Sequence, residues 1–245
     1  MLALTGYVVL GGSDDGGSDA AGKGGATASA SNSATASPVP DYTEPGDWTE
    51  PERWVALPQG ERTDTYGSEV GFPHTTEGAV SLLVTSTNGS VEPGHSTVDV
   101  QMRLYRSYMS ADDRSDENVE KIEKGAQETD KKLHQQMGVS ADSELPSGSY
   151  VRTTVIGFKV IQAADDEVST WMLAKVVTKK GELEKETAEY IRVLMAARWE
   201  TEDWKLSTQA SVQASQQVGS DKPGMAVPGD EKFNEYGWTA IREAS

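Results

Sequence analysis

The amino-acid sequence predicts an α+β domain, three helices packed on a curved four-stranded antiparallel meander sheet. Three observations carry this expectation. Apolar residues recur at helical spacing in the front half of the folded stretch and at a period of two in its back half. The strand-like runs are joined by short polar connections, which make sequence neighbours antiparallel hairpins. Segments poor in large apolar residues bound the stretch on both sides and place the domain at 52–210.

The first helix follows Gly71-Phe72-Pro73, carries Ala79, Leu82, Leu83 and Ser86 on one face, and closes at Asn88-Gly89. Val98, Met102, Tyr105 and Met109 mark a second amphipathic helix. Val119, Ile122, Ala126, Leu133 and Met137 mark a third, stopped by Gly138. In that third helix Glu117–Lys121, Glu120–Lys124 and Glu128–Lys132 stand at i,i+4, so its charge run reads as a solvated face.

The period then changes. Residues 150–162 (YVRTTVIGFKVIQ) and 168–178 (VSTWMLAKVVT) are rich in β-branched and aromatic side chains and read as the first two strands. Residues 186–199 (ETAEYIRVLMAARW) form a long third strand, and a turn at 200–203 leads into a fourth at 204–210. On the third strand Ile191, Val193, Met195, Ala197 and Trp199 share one face, the expected core face. Tyr190, Arg192, Leu194, Ala196 and Arg198 share the other, whose mixed character suits a sheet that is partly solvated or lines a groove.

The flanks have their own composition. Residues 1–12 (MLALTGYVVLGG) are an uncharged apolar stub, shorter than the roughly 20 residues a bilayer span needs and without the marks of a secretory signal. They read as the remnant of a transmembrane helix, with an unstructured or weakly helical terminus as the alternative. Residues 13–51 are rich in Gly, Ala, Ser and Thr and read as a disordered linker, with Tyr42 and Trp48 near its end. Residues 211–245 read as a flexible tail whose aromatic end, Phe233, Tyr236 and Trp238, docks on the domain or on a partner.

Charge and composition exclude several function classes. Against 22 basic residues stand 39 acidic ones, a net charge of -17 that repels nucleic acid. Without cysteine there is no disulfide framework, no thiolate metal site and no thiol catalysis. Three histidines, at 74, 95 and 134, form no H-E-x-x-H pair, and no nucleophile elbow or phosphate-cradling glycine loop is present. The acidic runs at 112–113 and 165–167 lack the ligand alternation of a calcium loop and read as turns. The expectation is therefore no catalytic residue, no metal and no cofactor. The candidates for a pocket or an interface are His74, Tyr105, Trp171, Arg192, Arg198 and Trp238, with Lys175 as a further strand cation.

Two motifs carry a family resemblance. The stretch 197–206 (ARWETEDWKL) looks like the closing hairpin of the nuclear transport factor 2-like superfamily, and the order of helices and strands over 54–210 resembles that cone-shaped α+β fold. The stretch 71–79 (GFPHTTEGA) resembles the opening helix of a group of actinobacterial proteins that carry a membrane helix, a polar linker and one such domain. What the resemblance implies is a non-enzymatic, extracytoplasmic assembly module on a single-pass anchor in the cell membrane. Its implied partners are protein subunits of a membrane complex, in the setting of a conjugation or type IV secretion-like apparatus, with homo-oligomerisation through the sheet. Fold alone does not decide activity. A small-molecule-binding or catalytic pocket inside the cone is the alternative, and a cytosolic regulatory protein is a third reading.

Overall fold

A computed structural model of the chain describes residues 46–242. The apolar stub at 1–12 and the linker as far as residue 45 lie outside the described residues, as do 243–245. Among the described residues no helix is long and apolar enough to cross a membrane.

The fold is α+β with a mainly antiparallel sheet, but it is larger than the expected four strands and three helices. After β1 (Trp54–Ala56) comes a small separate hairpin, β2 (Arg62–Thr63) and β3 (Glu69–Val70). Helix α1 (Thr76–Thr87), strand β4 (Gly89–Val91), helix α2 (Thr97–Tyr108) and helix α3 (Asp116–Gln136) follow. Next come the long strands β5 (Ser149–Ala163), β6 (Glu167–Lys180) and β7 (Thr187–Glu200), and the short β8 (Asp203–Leu206). Helix α4 (Thr208–Val218), helix α5 (Glu231–Glu235) and strand β9 (Thr239–Arg242) complete the described chain. The main sheet has seven strands in the order β1-β9-β5-β6-β7-β8, with β4 also on β5. All its pairings are antiparallel except that of β1 with β9.

The helices start where side chains satisfy their first amide groups. Thr75 accepts from the Gly78 amide at the head of α1, and Ser115 does the same for Asn118 at the head of α3. Ser96 and Asp99 form a reciprocal capping box on α2. Helix α1 is buried on nearly every side, as expected for a helix enclosed between the sheet and its neighbours. Helix α3 buries only Ala126, Thr129 and Leu133, so its charged face is solvated, consistent with its i,i+4 pattern.

The sheet has two covered faces. Helices α1 to α3 lie on one, where Leu82, Leu83, Tyr108, Leu133, Met172 and Trp204 are fully enclosed. On the other, Trp171 and Leu173 of β6 pack with Ala226, Phe233, Trp238 and Ala240, all from beyond residue 218. The tail expected at 211–245 is thus part of the fold as far as residue 242, and the domain does not end at 210. The expected strand at 204–210 stops at Leu206, because the Ser207 hydroxyl accepts from the Ala210 amide and starts α4. At the front, Thr49 bridges Gly229 with a 2.7 Å hydrogen bond, so the end of the linker is also tied down. Gly157 in β5 lets this second layer close. A Cβ there would stand 3.0 Å from the Phe233 ring.

Candidate functional site

The segments 71–79 and 197–206, recognised separately in the sequence, meet at one end of the sheet. The bend that brings the first onto the second depends on Gly78. A Cβ at that position would lie 1.9 Å from the Pro73 carbonyl oxygen, so the backbone folds back more tightly than any other residue permits. Asp203 at the start of β8, 2 % exposed, then joins the two pieces. Its Oδ1 accepts from the amides of Phe72 at 3.1 Å and Trp204 at 2.9 Å, while its Oδ2 receives Lys205 Nζ at 3.0 Å. Lys205 also donates to the Ser107 carbonyl at 3.1 Å, and Trp204 Nε1 donates to the Pro73 carbonyl at 2.8 Å. A buried carboxylate with this many donors is held in place from several elements at once.

His74 stands on the outer side of this junction. Its ring stacks on Trp199 at 4.0 Å between centroids with an interplanar angle of 7°, and meets Trp204 edge-on at 5.6 Å. Nε2 lies 2.8 Å from the Asp165 carbonyl oxygen and 3.1 Å from Asp166 Oδ1. Both are acceptors, so Nε2 carries the hydrogen and donates. The side chains of His74 and Asp166 are 42% and 71% exposed, which makes their pairing a modest contribution of roughly 0–1 kcal/mol. The adjoining turn between β7 and β8 places Thr201 at φ 51 and Glu202 at φ 63, a left-handed pair made without glycine.

Beside the junction, Tyr108 of α2 is enclosed and donates to the Glu69 carbonyl at 2.9 Å. Burial pushes its hydroxyl up to about 12. Burial works against the Asp64 carboxylate too, but hydrogen bonds from the Ser68 and Tyr66 amides, with the nearby Ser107 hydroxyl and the charge of Lys205, hold it below the usual carboxylate value. These groups fasten the β2–β3 hairpin to the helices.

The other candidates fall elsewhere. Tyr105 is buried on α2, where its hydroxyl donates towards the carbonyls of Asp113 and Ser115 and accepts from the Ser115 amide, so it organises the turn before α3. Arg198 neighbours Trp199 but points to the opposite face, paired with Glu167 at 3.0 Å. Trp171, Arg192 and Trp238 come together on the second face. Trp171 and Trp238 share its core, and the Arg192 guanidinium lies 5.6 Å from the Trp171 ring centroid. Trp238 Nε1 donates to the Gly224 carbonyl at 2.9 Å. Lys175 lies over the Tyr190 ring at 5.6 Å on this same face.

Arg192 and Arg198 do lie opposite Ile191 and Trp199, as strand parity requires, but that face is not open: both arginines are half-buried under the returning chain. Near the end of α4, Arg192, Gly219, Ser220 and Lys222 line an open basin. Sequence reading missed the last three. Ser207 followed by Ala210, Ala214 and Val218 at helical spacing is the signal that marks the helix leading to them. Among the described residues no group of three or more His, Asp or Glu is placed to hold a metal ion. No protein-family model, curated protein or solved structure matches the chain.

Proposed function

We propose that the domain is a non-enzymatic assembly module of the nuclear transport factor 2-like kind. In this reading an apolar anchor that includes residues 1–12 tethers it to a cell membrane, and it faces the extracytoplasmic side. Its partners are other protein subunits of a membrane complex, a conjugation or secretion-like apparatus being the setting. The observation that carries the reading is how the interior is filled. Phe158 and Met195 on the helix side are 7% and 6% exposed, and Trp171 on the other face is 8% exposed. These large side chains are covered by the chain's own packing rather than lining an accessible hollow, which supports recognition through outer surfaces over a pocket. The sequence layout of apolar stub, polar linker and domain supports the tether.

Two measurements test this. A topology reporter fused after residue 242 and expressed from the native gene is expected to report the extracytoplasmic side. A cytoplasmic signal overturns the tethered reading. Site-specific photocrosslinking from exposed positions of α3 in the native cell is expected to capture discrete protein partners, and recovery of the domain only as an uncrosslinked species counts against assembly.

A further inference from the structure

The segment that leads into β1 grips the far end of the chain. Among the described residues, the hydrogen bonds that leave residues 48–54 run to residues 229–240. The Thr49 amide donates to the Gly229 carbonyl at 2.7 Å, and the Glu52 amide to Asn234 Oδ1 at 2.9 Å. Asn234 Nδ2 donates in return to the Glu50 carbonyl at 3.1 Å. The Ala240 amide then donates to the Arg53 carbonyl at 2.9 Å, where the parallel pairing of β1 with β9 begins. Side chains reinforce this grip. Glu50 Oε2 accepts from Trp48 Nε1 at 3.1 Å and its Oε1 from Trp54 Nε1 at 2.8 Å, so one carboxylate fixes two indoles. Trp48 is 64% exposed but seated on Gly229, where φ is 105 and a Cβ would stand 2.5 Å from the ring. Arg242 lies 4.9 Å over the Trp54 ring, and Val55 packs against the helix-side core.

What is gripped is a cover. Residues 219–242 place Ala226, Phe233 and Trp238 over Trp171 and Leu173 of β6. Only α5 and β9 are regular there, and β9 meets β5 through the pairs Gly157 with Ala240 and Phe158 with Thr239. The strands β5, β6 and β7, by contrast, are laddered along most of their length. A largely irregular strap regains backbone entropy on release, about 1–2 kcal/mol per residue, and gives up few ladder bonds in exchange. Such a segment opens at a lower free energy than the laddered strands beneath it. Its opening is opposed by the second core and by the grip of residues 48–54, which are joined through β1 to the helix-side core.

We infer that residues 48–54 are a clasp on this strap: clasp and strap open together as one unit and bare Trp171 and Leu173, while the helix-covered face stays folded. Whatever draws the clasp away from residues 229–240 thereby uncovers the second face of the sheet. The inference stands apart from the assembly role. It is tested on the full chain, isotope-labelled, by native-state hydrogen exchange at a series of sub-denaturing urea concentrations. The reporters are the amides of Thr49, Trp238 and Ala240, together with the Trp238 indole N–H, which is bonded to the Gly224 carbonyl. They are expected to converge on one opening free energy, below that of the Leu83 amide in α1 and the Met172 amide in β6. Trp48→Ala, an exposed change outside the second core, is expected to speed all four reporters about threefold to tenfold and to leave Leu83 and Met172 unchanged. Asn234→Ala, which removes two bonds between clasp and strap, is expected to speed them about tenfold or more. If Trp48→Ala speeds Thr49 alone and the two Trp238 reporters keep their rates, the entry segment frays by itself and the inference is overturned. Equal acceleration of Leu83 and Met172 overturns it too, since the strap then opens only with the whole domain.

Discussion

The two faces of the sheet use the same strands but are closed in different ways. The helix-covered face is built from regular elements whose apolar residues repeat with helical or strand periods. The opposite face is covered by α4 and by residues 219–242, of which only α5 and β9 are regular, and few anchors hold this last stretch in place. Trp238 and Phe233 fill its core, Trp238 Nε1 reaches the Gly224 carbonyl at 2.9 Å, and Lys159 Nζ reaches the Tyr236 carbonyl at 3.0 Å. A polar, glycine-containing segment therefore encloses a core of its own when a few large aromatics fasten it. What differs is how many side chains share the task.

That difference can be broken experimentally, beginning with the anchors. Trp238→Ala is expected to remove about 3–5 kcal/mol of stability, read as a shift of the urea midpoint, because the ring is wholly enclosed and its N–H is bonded. A loss below about 1 kcal/mol would mean that the second face contributes little and the comparison fails. Asp203→Ala addresses the first face. It strands two buried amides and the Lys205 ammonium, and is expected to cost about 3 kcal/mol by the same measurement. The accompanying Asp203→Asn change retains the volume and an acceptor oxygen and should lose less.

Gly78→Ala is a sharper probe of the junction. Its methyl group has to displace Pro73, so about 1–3 kcal/mol is lost and the His74 ring moves off Trp199, visible as altered tryptophan fluorescence. The smallest effect runs in the other direction. Replacing the β7–β8 turn by Thr201→Asn with Glu202→Gly suits the left-handed backbone there and is expected to add about 1 kcal/mol, measured as a raised melting temperature. A loss of stability from that pair would show that the native side chains make contacts worth more than the strain.

Much of the first face was legible because its determinants are local. The α1 segment, the charged face of α3 and the three long strands follow from period alone, and the parity of β7 correctly sorts Ile191, Met195 and Ala197 from Leu194. The meeting of 71–79 with 197–206 was not legible. It depends on a carboxylate at 203 reaching an amide at 72, and no local pattern encodes a bond across 131 residues. The second face was legible only in part: Phe233, Tyr236 and Trp238 were expected to dock on the domain, as they do, but the chain leading to them read as a flexible tail. Ala226, Phe233 and Trp238 are spaced without period among polar residues, so composition suggested a tail, while their order comes from tertiary packing. Of the basin, only Arg192 was foreseen, since Lys222 gains meaning only once α4 carries it back over β7.

Strand β9 lies between β1 and β5, pairing Ala240 with Trp54 in parallel and with Gly157 in antiparallel fashion. On the ribosome, β1 therefore waits for a neighbour made after every other strand of the sheet, and the sheet cannot be completed until residues 239–242 have emerged. Until then Trp54 and the unpaired end of β5 are exposed to other chains, which makes prompt capture of the closing strand the step on which productive folding turns.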